Sequence, residues 1–353
     1  MKQFKKLTPG ILLCLSIAVP AWLLGKTFPI IGGPIFGIIF GMIFALLLSS
    51  PWIKEFSTLS VNSEKQGYIF DDGIKYTSKK LLQYSIILLG FEMNLYNVIK
   101  VGSQSLLIML FTISTSFIVA YFVGKALKLH GKMTILIGVG TSICGGSAIA
   151  ATAPVIQADD KDVAQAISTI FLFNIVAVFI FPALGHLLGM SDIGFGMWAG
   201  TAVNDTSSVV ATGTAWSAVA GNNTALAFAT IVKLTRTLMI VPITLVLAIY
   251  TTKKSKSVSD GPNFKFSKVF PWFVIGFVIA SIICTFAGLP AAFTHSMVAL
   301  GKFIIIMAMV AIGLNTHLKK FIANGIKPIL VGLCCWFAVA SVSLLVQVIM
   351  KTW

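Results

Sequence analysis

Charge is the scarcest property of this sequence. Asp and Glu together supply 11 of its 353 residues, Arg236 is its one arginine, and all charged residues amount to 10%, where a soluble globular domain carries about a quarter. A soluble globular domain is thereby excluded. The five cysteines, Cys14, Cys144, Cys284, Cys334 and Cys335, lie inside apolar segments without paired C-x-x-C spacing, so neither a disulfide framework nor a zinc site is expected. No catalytic triad, phosphate-binding loop or metal-ligand spacing is present, which leaves ATP hydrolysis without support and gives no reason to expect an enzyme or a cofactor. A cleavage site is also missing. The first apolar run, Leu7 to Leu24, is followed by Lys26 and Pro29 rather than by small residues, so it is expected to be retained rather than removed as a signal peptide.

What the chain has instead is apolar length. Hydrophobic residues make up 57% of it and the mean hydropathy is +0.95. Apolar runs recur from end to end at about the 20 residues that cross one hydrocarbon core. Spans are expected near 8–25, 33–49, 79–96, 102–124, 162–188, 222–250, 268–287, 295–316 and 328–350, with interrupted segments at 133–157 and 194–217. The expected fold is an all-α polytopic membrane protein of about 9 to 11 transmembrane helices, two of them discontinuous or re-entrant, with inverted repeats. The polar connections at 50–78 and 251–267 are too short for a folded domain, so residues 1–353 are expected to form a single membrane domain.

The net charge of +15 does not point to nucleic acid, because the lysines sit in the loops between spans. Lys2, Lys5 and Lys6, then Lys125, Lys128 and Lys132, then Lys253, Lys254 and Lys256 fall on one side, against Lys26, Lys100, Lys302 and Lys351 on the other. The bias predicts a cytoplasmic N-terminus and an external C-terminus in the inner membrane.

The interrupted segments repeat one another. GVGTSICGGSAIAATAPVIQ (138–157) aligns without a gap on WAGTAVNDTSSVVATGTAWS (198–217), placing Gly140, Thr141, Ser147, Ala151 and Thr152 on Gly200, Thr201, Ser207, Ala211 and Thr212, and Pro182 later falls on Pro242. A second pair, 86–106 with 309–329, places Gly90, Leu95, Ile99 and Gly102 on Gly313, Leu318, Ile322 and Gly325. If the interrupted segments crossed the membrane, one pair would be parallel and the other inverted. If they are hairpins, both pairs are inverted, as a single pseudo-two-fold axis in the membrane plane requires. Hairpins are the favoured reading. Residues 133–143 would give roughly 16 Å of helix, enough to reach the midplane.

The interruptions carry the expected chemistry. A helix restarting at membrane depth presents free N–H groups and the positive end of its dipole, both of which favour an anion. Gly145, Gly146 and Ser147 would form one tip, and Thr201, Asn204, Asp205, Thr206 and Ser207 the other; close helix packing is the competing use of such small residues. Lys233 and Arg236 lie mid-span at i, i+3 spacing. They are expected either to bind an anionic substrate, with Arg236 offering its fork to an oxyanion, or to pair structurally with Asp205 or Glu92. Asp205 and Glu92 are the acids in apolar surroundings. Each is a candidate coupling site for a proton or a sodium ion, and each could instead cap a helix or neutralise Arg236. Asn174 either binds ligand or satisfies a neighbouring backbone group. His130, His186, His295 and His317 lie near span ends.

The segments LLQYSIILLGFEMNLYNVIKVG, ILIGVGTSICGGSAIAATAPVIQADDKDVAQAIS and MWAGTAVNDTSSVVATGTAWS resemble the YeiH-like family of sulfate exporters over nearly the whole chain, and that family is distantly similar to bile acid/sodium symporters. The symporter likeness would favour crossing helices over hairpins. The resemblance implies a secondary transporter of sulfate or a small organosulfonate, working by alternating access. The partners expected are the small anion, the lipid bilayer and, in a homo-oligomer, further copies of the chain. An anion channel and a non-transporting membrane scaffold or sensor are the alternatives.

Overall fold

The computed structural model describes residues 2–28, 32–49, 69–254, 272–316 and 325–353, and no strand occurs among them. The helices are α1 (Lys2–Thr27), α2 (Gly33–Ser49), α3 (Asp71–Tyr76) continuing through a π turn at Thr77–Leu81 into α4 (Leu82–Leu89), and α5 (Leu95–Ala126). Next come α6 (Gly131–Ser142), α7 (Gly146–Thr152), α8 (Asp160–Leu187), α9 (Asp192–Ala202), α10 (Thr206–Ala220), α11 (Thr224–Leu238) and α12 (Ile240–Lys254). The last three are α13 (Trp272–Phe286), α14 (Ala291–Leu314) and α15 (Ile326–Met350). Of the two loops expected from polarity, positions 50–68 and those from 255 to 271 lie outside the described residues, as does His317. The described remainder, from Asp71 and up to Lys254, is helical rather than loop.

Six described stretches are long and apolar enough to cross a membrane: Lys6–Thr27, Leu95–Ala126, Lys161–Leu187, Thr224–Leu247, Ala291–Leu314 and Ile326–Met350. Shorter apolar helices add Gly33–Leu47 and Trp272–Phe286. The protein is a multi-pass membrane protein. Hydroxyl groups inside these helices are satisfied locally, as lipid demands. Thr230, Thr237 and Thr244 each donate to the carbonyl four residues earlier. Large apolar side chains such as Leu110, Ile118 and Phe122 stay exposed along α5, the pattern of a helix face that meets acyl chains.

The chain divides into two compact units that take alternating segments of it. The first comprises residues 1–95, 214–223 and 275–317. Here helices meet where glycine faces glycine, at Gly10 with Gly73 and at Gly41 with Gly313. Without a hydrophobic force between helices in lipid, such close backbone approach is what lets dispersion hold them. A Cβ on Gly313 would stand 2.4 Å from the Ile38 carbonyl oxygen. Gly313→Val is therefore expected to cost about 1–3 kcal/mol of stability through overpacking, read as a lower thermal midpoint in detergent, with Gly131→Val, where nothing lies within 4 Å, as the tolerated comparison.

The second unit comprises residues 96–213, 224–274 and 318–353. The first interrupted segment lies in it, as does the second up to Gly213, and both turn back on themselves there. At the start of α6, His130 Nε2 lies 3.1 Å from Asp162 Oδ1 at the start of α8, and Lys132 Nζ donates to the Gln157 carbonyl at 2.6 Å. The first segment therefore leaves by the end at which it entered. In the second, Gly196 of α9 packs on Ala225 and Phe228 while Gly200 packs on Ala229 and Val232, so α9 and α11 run parallel. Gly213 of α10 lies back on Leu226, near the start of α11. The chain has again returned to its point of entry. Helix α8, 28 residues and roughly 42 Å long, runs from the base of the first hairpin to the base of the second, so the two enter from opposite ends. The interrupted pair is thus two hairpins, while Leu318 and Ile322 of the second repeat pair lie outside the described residues. α8 and α11, which follow matching hairpins, run in opposite directions, as inverted repeats require.

Candidate functional site

The two hairpins meet at their tips. Between α6 and α7 the turn is Ile143–Gly145, and between α9 and α10 it is Val203–Asp205. Gly145 adopts φ +65°, ψ −128°, a conformation essentially reserved for glycine, and the position its Cβ would take lies 3.5 Å from Asp205 Cβ and 3.6 Å from Asn174 Nδ2. Asn174, from the middle of α8, accepts the Asp205 N–H at 3.1 Å. This is the backbone-satisfying contact of the two alternatives.

Lys233 and Arg236 stand on α11 at the same depth, both with no exposed surface. Arg236 Nε donates to Ser142 O and Nη2 to Thr141 O, each at 2.6 Å, and Nη1 donates to Thr201 O. Lys233 Nζ donates to Ile143 O at 2.6 Å, Val203 O at 3.1 Å and Asn204 O. An ammonium carries three donors, one for each of these carbonyls. Both cations thus cap the carbonyl ends of α6 and α9 together, where four carbonyls per helix lack intrahelical partners and the dipole is negative. The structural partners expected for them were Asp205 or Glu92. Among the described residues neither acid pairs with them.

The remaining candidates separate by what they touch. Asp205 Oδ2 accepts the Ser207 N–H at 3.0 Å and the Ser207 hydroxyl, capping α10 with its own carboxylate. The matching position in the first hairpin is Gly145, and α7 starts with no side-chain cap. Gly146 is half-buried and Ser147 exposed, whereas Thr206 and Ser207 are buried. Thr201 Oγ1 shares a 2.6 Å hydrogen bond with Ser343 Oγ of α15 and donates to Met197 O. Asn204 is the unusual residue. It is 1% exposed, yet neither its amide oxygen nor its nitrogen has a hydrogen-bond partner. Glu92 is not brought to this site; it belongs to the other unit, where Asn223 Nδ2 donates to its Oε1 and Lys302 Nζ donates to Asn223 Oδ1. Asn223 and Lys302 were missed from sequence because both look like ordinary loop-end polar residues. Among the described residues no group of three metal-ligating side chains occurs.

The two turns thus bring the starts of α7 and α10 together beside a buried amide that has no hydrogen-bond partner. Residues 9–332 match a family model described as conserved hypothetical protein 698. The UPF0324 membrane protein of Fusobacterium nucleatum is 52% identical over 360 residues, covering 97% of each chain. The UPF0324 membrane proteins of Streptococcus pyogenes serotype M18 and Streptococcus mutans serotype c are 51% and 48% identical, covering 98% and 99% of each chain. No solved structure matches. With the match running nearly end to end through both hairpins, the chain belongs to the UPF0324 membrane protein family, to which the YeiH-like proteins also belong.

Proposed function

We propose that the protein is a secondary transporter of a small oxyanion, bound where the hairpin tips meet and moved by alternating access. One observation carries the reading: two hairpins entering from opposite ends bring their tips together beside a buried Asn204 whose amide is unpartnered. A buried polar group left unpaired costs about 1–3 kcal/mol, which a ligand recovers.

Electrostatics favours a monoanion. Two carbonyl ends and two N–H ends of helices meet here, at about half an elementary charge each, and they cancel. Lys233 and Arg236 bring two positive charges against the single negative charge of Asp205, leaving an excess of one. A sulfonate, or a carboxylate of similar size, neutralises that excess better than dianionic sulfate. In this reading Lys233 and Arg236 act on the substrate through the field and the hairpin geometry rather than as direct ligands. Asp205, facing Gly145, is the coupling candidate at this site, for a proton or sodium. The lysine bias places the N-terminus in the cytoplasm, the first hairpin opening inward and the second outward, in the inner membrane.

The test is thermal stabilisation of the purified protein by methanesulfonate, acetate, thiosulfate and sulfate, each in sodium and in potassium, because a ligand bound only by the folded state raises its midpoint by mass action. Saturable stabilisation by the monoanions is expected. Asn204→Leu should abolish the response while leaving the ligand-free midpoint unchanged or higher, since it removes an unpaired buried amide. A lowered midpoint with the anion response intact would make Asn204 structural and remove the main support for the site. Counterflow in proteoliposomes separates the transporter from a channel.

A further inference from the structure

The first unit contains a cationic cavity that the hairpin site does not use. It has a volume of about 230 Å³, and its walls include Trp22, Pro34 and Ile306, the hydroxyl-bearing Thr214 and Ser217, and the lysines Lys26 and Lys302. The Lys26 ammonium lies 3.7 Å from the centre of the Trp22 ring, so charge and aromatic surface sit side by side. No acid is among the residues lining it. The nearest compensation for Lys302 is indirect: its ammonium donates to Asn223 Oδ1, and Asn223 Nδ2 donates to Glu92 Oε1. The second oxygen of Glu92, Oε2, is buried without a partner.

We propose that this cavity is a second anion site, taking an organic oxyanion whose head pairs with Lys302 and Lys26 and whose apolar part lies on Trp22 and Ile306, with occupancy linked through Asn223 to protonation of Glu92. Two apolar walls and two ammonium groups suit an amphiphilic anion better than bare sulfate, which would leave the walls uncovered. The link follows from charge. When Glu92 is ionised it partly neutralises Lys302 across the Asn223 bridge; when it is protonated, the full positive charge faces the cavity. Anion and proton therefore bind with positive coupling, and by reciprocity each raises the other's affinity. Affinity therefore rises when Glu92 takes up a proton and falls when it ionises.

The groups facing Glu92 from the packed elements are few. α14 brings Lys302, and α13 brings the Cys284 thiol, which donates to Phe91 O at 2.8 Å, together with Ser281 and Thr285, which are not titratable in this range. Ser281 donates to Gly90 O at 3.3 Å and Thr285 accepts the Leu95 N–H at 2.9 Å. These hold the turn at Gly90–Glu92 in place and leave Lys302 as the charged partner of the carboxylate.

The same oxyanion head exists on a free solute and on an anionic phospholipid, and two arms of one experiment tell them apart. The full chain in lipid-free detergent is titrated with butanesulfonate from acid to mildly alkaline pH, and separately placed in nanodiscs with and without phosphatidylglycerol. The readout is the part of the tryptophan emission that Trp22→Phe removes, which reports this cavity and not the hairpin tips. A saturable Trp22 response is expected, with affinity about tenfold higher at the acid end. Glu92→Gln should hold the high-affinity form and flatten the pH dependence, and Lys302→Gln should lose about tenfold or more. Asn223→Ala keeps both charges and should weaken the pH dependence, which preserves the test should Glu92→Gln fail to fold. A Trp22 response to phosphatidylglycerol alone would identify the occupant as lipid. No Trp22 response to either probe, or a pH dependence that survives Glu92→Gln, overturns the proposal. Because this signal arises within the first unit, its failure leaves the hairpin-tip site standing, and failure of the Asn204 test leaves this one standing.

Discussion

Arg236→Gln is expected to lower the stability of the ligand-free protein by about 3 kcal/mol or more. Three carbonyls, from Thr141, Ser142 and Thr201, accept from the guanidinium, and each buried acceptor left unpaired costs about 1–3 kcal/mol. A glutamine amide is shorter, has two donors and cannot reach both hairpins from α11. Arg236→Lys should recover only part of the loss, because an ammonium restores the charge at two helix carbonyl ends but not the planar fork that ties them together. The measurement is the thermal midpoint in detergent without added anion. It also separates two roles for this residue: a Gln variant as stable as the parent that no longer responds to anions would make the guanidinium a ligand rather than a cap.

Gly145→Ala and Gly146→Ala, neighbours in sequence, are expected to behave oppositely. At Gly145 the backbone has φ +65°, ψ −128°, where any side chain costs about 1–3 kcal/mol. The new Cβ itself would meet only ordinary contacts, 3.4 Å from Ile170 and 3.5 Å from Asp205, so the cost is conformational and falls on the tip facing Asp205 and Asn174. Gly146 is the first residue of α7, and its Cβ would find nothing nearer than Ile167 at 3.9 Å; alanine there should be neutral or stabilising by up to about 1 kcal/mol, from its helix propensity. The pair is checked by midpoint and by the anion response together. Gly145→Ala should reduce both, Gly146→Ala neither. Equal effects would mean that the tip is held by packing alone rather than by the one glycine conformation.

Several of these features were legible in the residues. The apolar runs, the scarcity of charge and the repeat at 60-residue spacing announced helices in a membrane and located both breaks, since helix length, glycine and hydropathy act locally along the chain. The hairpin geometry was also reachable, by requiring one symmetry axis for both repeats. The roles of the charged residues were less legible. Lys233 and Arg236 stood out by composition, but their partners are main-chain oxygens of Thr141–Ile143 and Thr201–Asn204. Every residue carries a carbonyl, so no side chain advertises which ones have been left over at a helix end. Glu92 was visible as an acid in apolar surroundings, while its link to Lys302 through Asn223 spans 131 and then 79 positions in the chain and leaves no periodicity to read.

The sequence by itself determined that this is a helical, multi-pass membrane protein with two matching interruptions, because those properties depend on the cost of moving each segment into lipid. The tertiary structure decided that the interruptions are hairpins meeting tip to tip, that the two buried cations are spent on carbonyl ends, and that at the tips it is Asn204 rather than the arginine whose side chain is left without a partner. Those outcomes depend on which groups are brought within hydrogen-bond distance. In a membrane interior every unpaired polar group is expensive, and the pairing is settled by where the helices end in space.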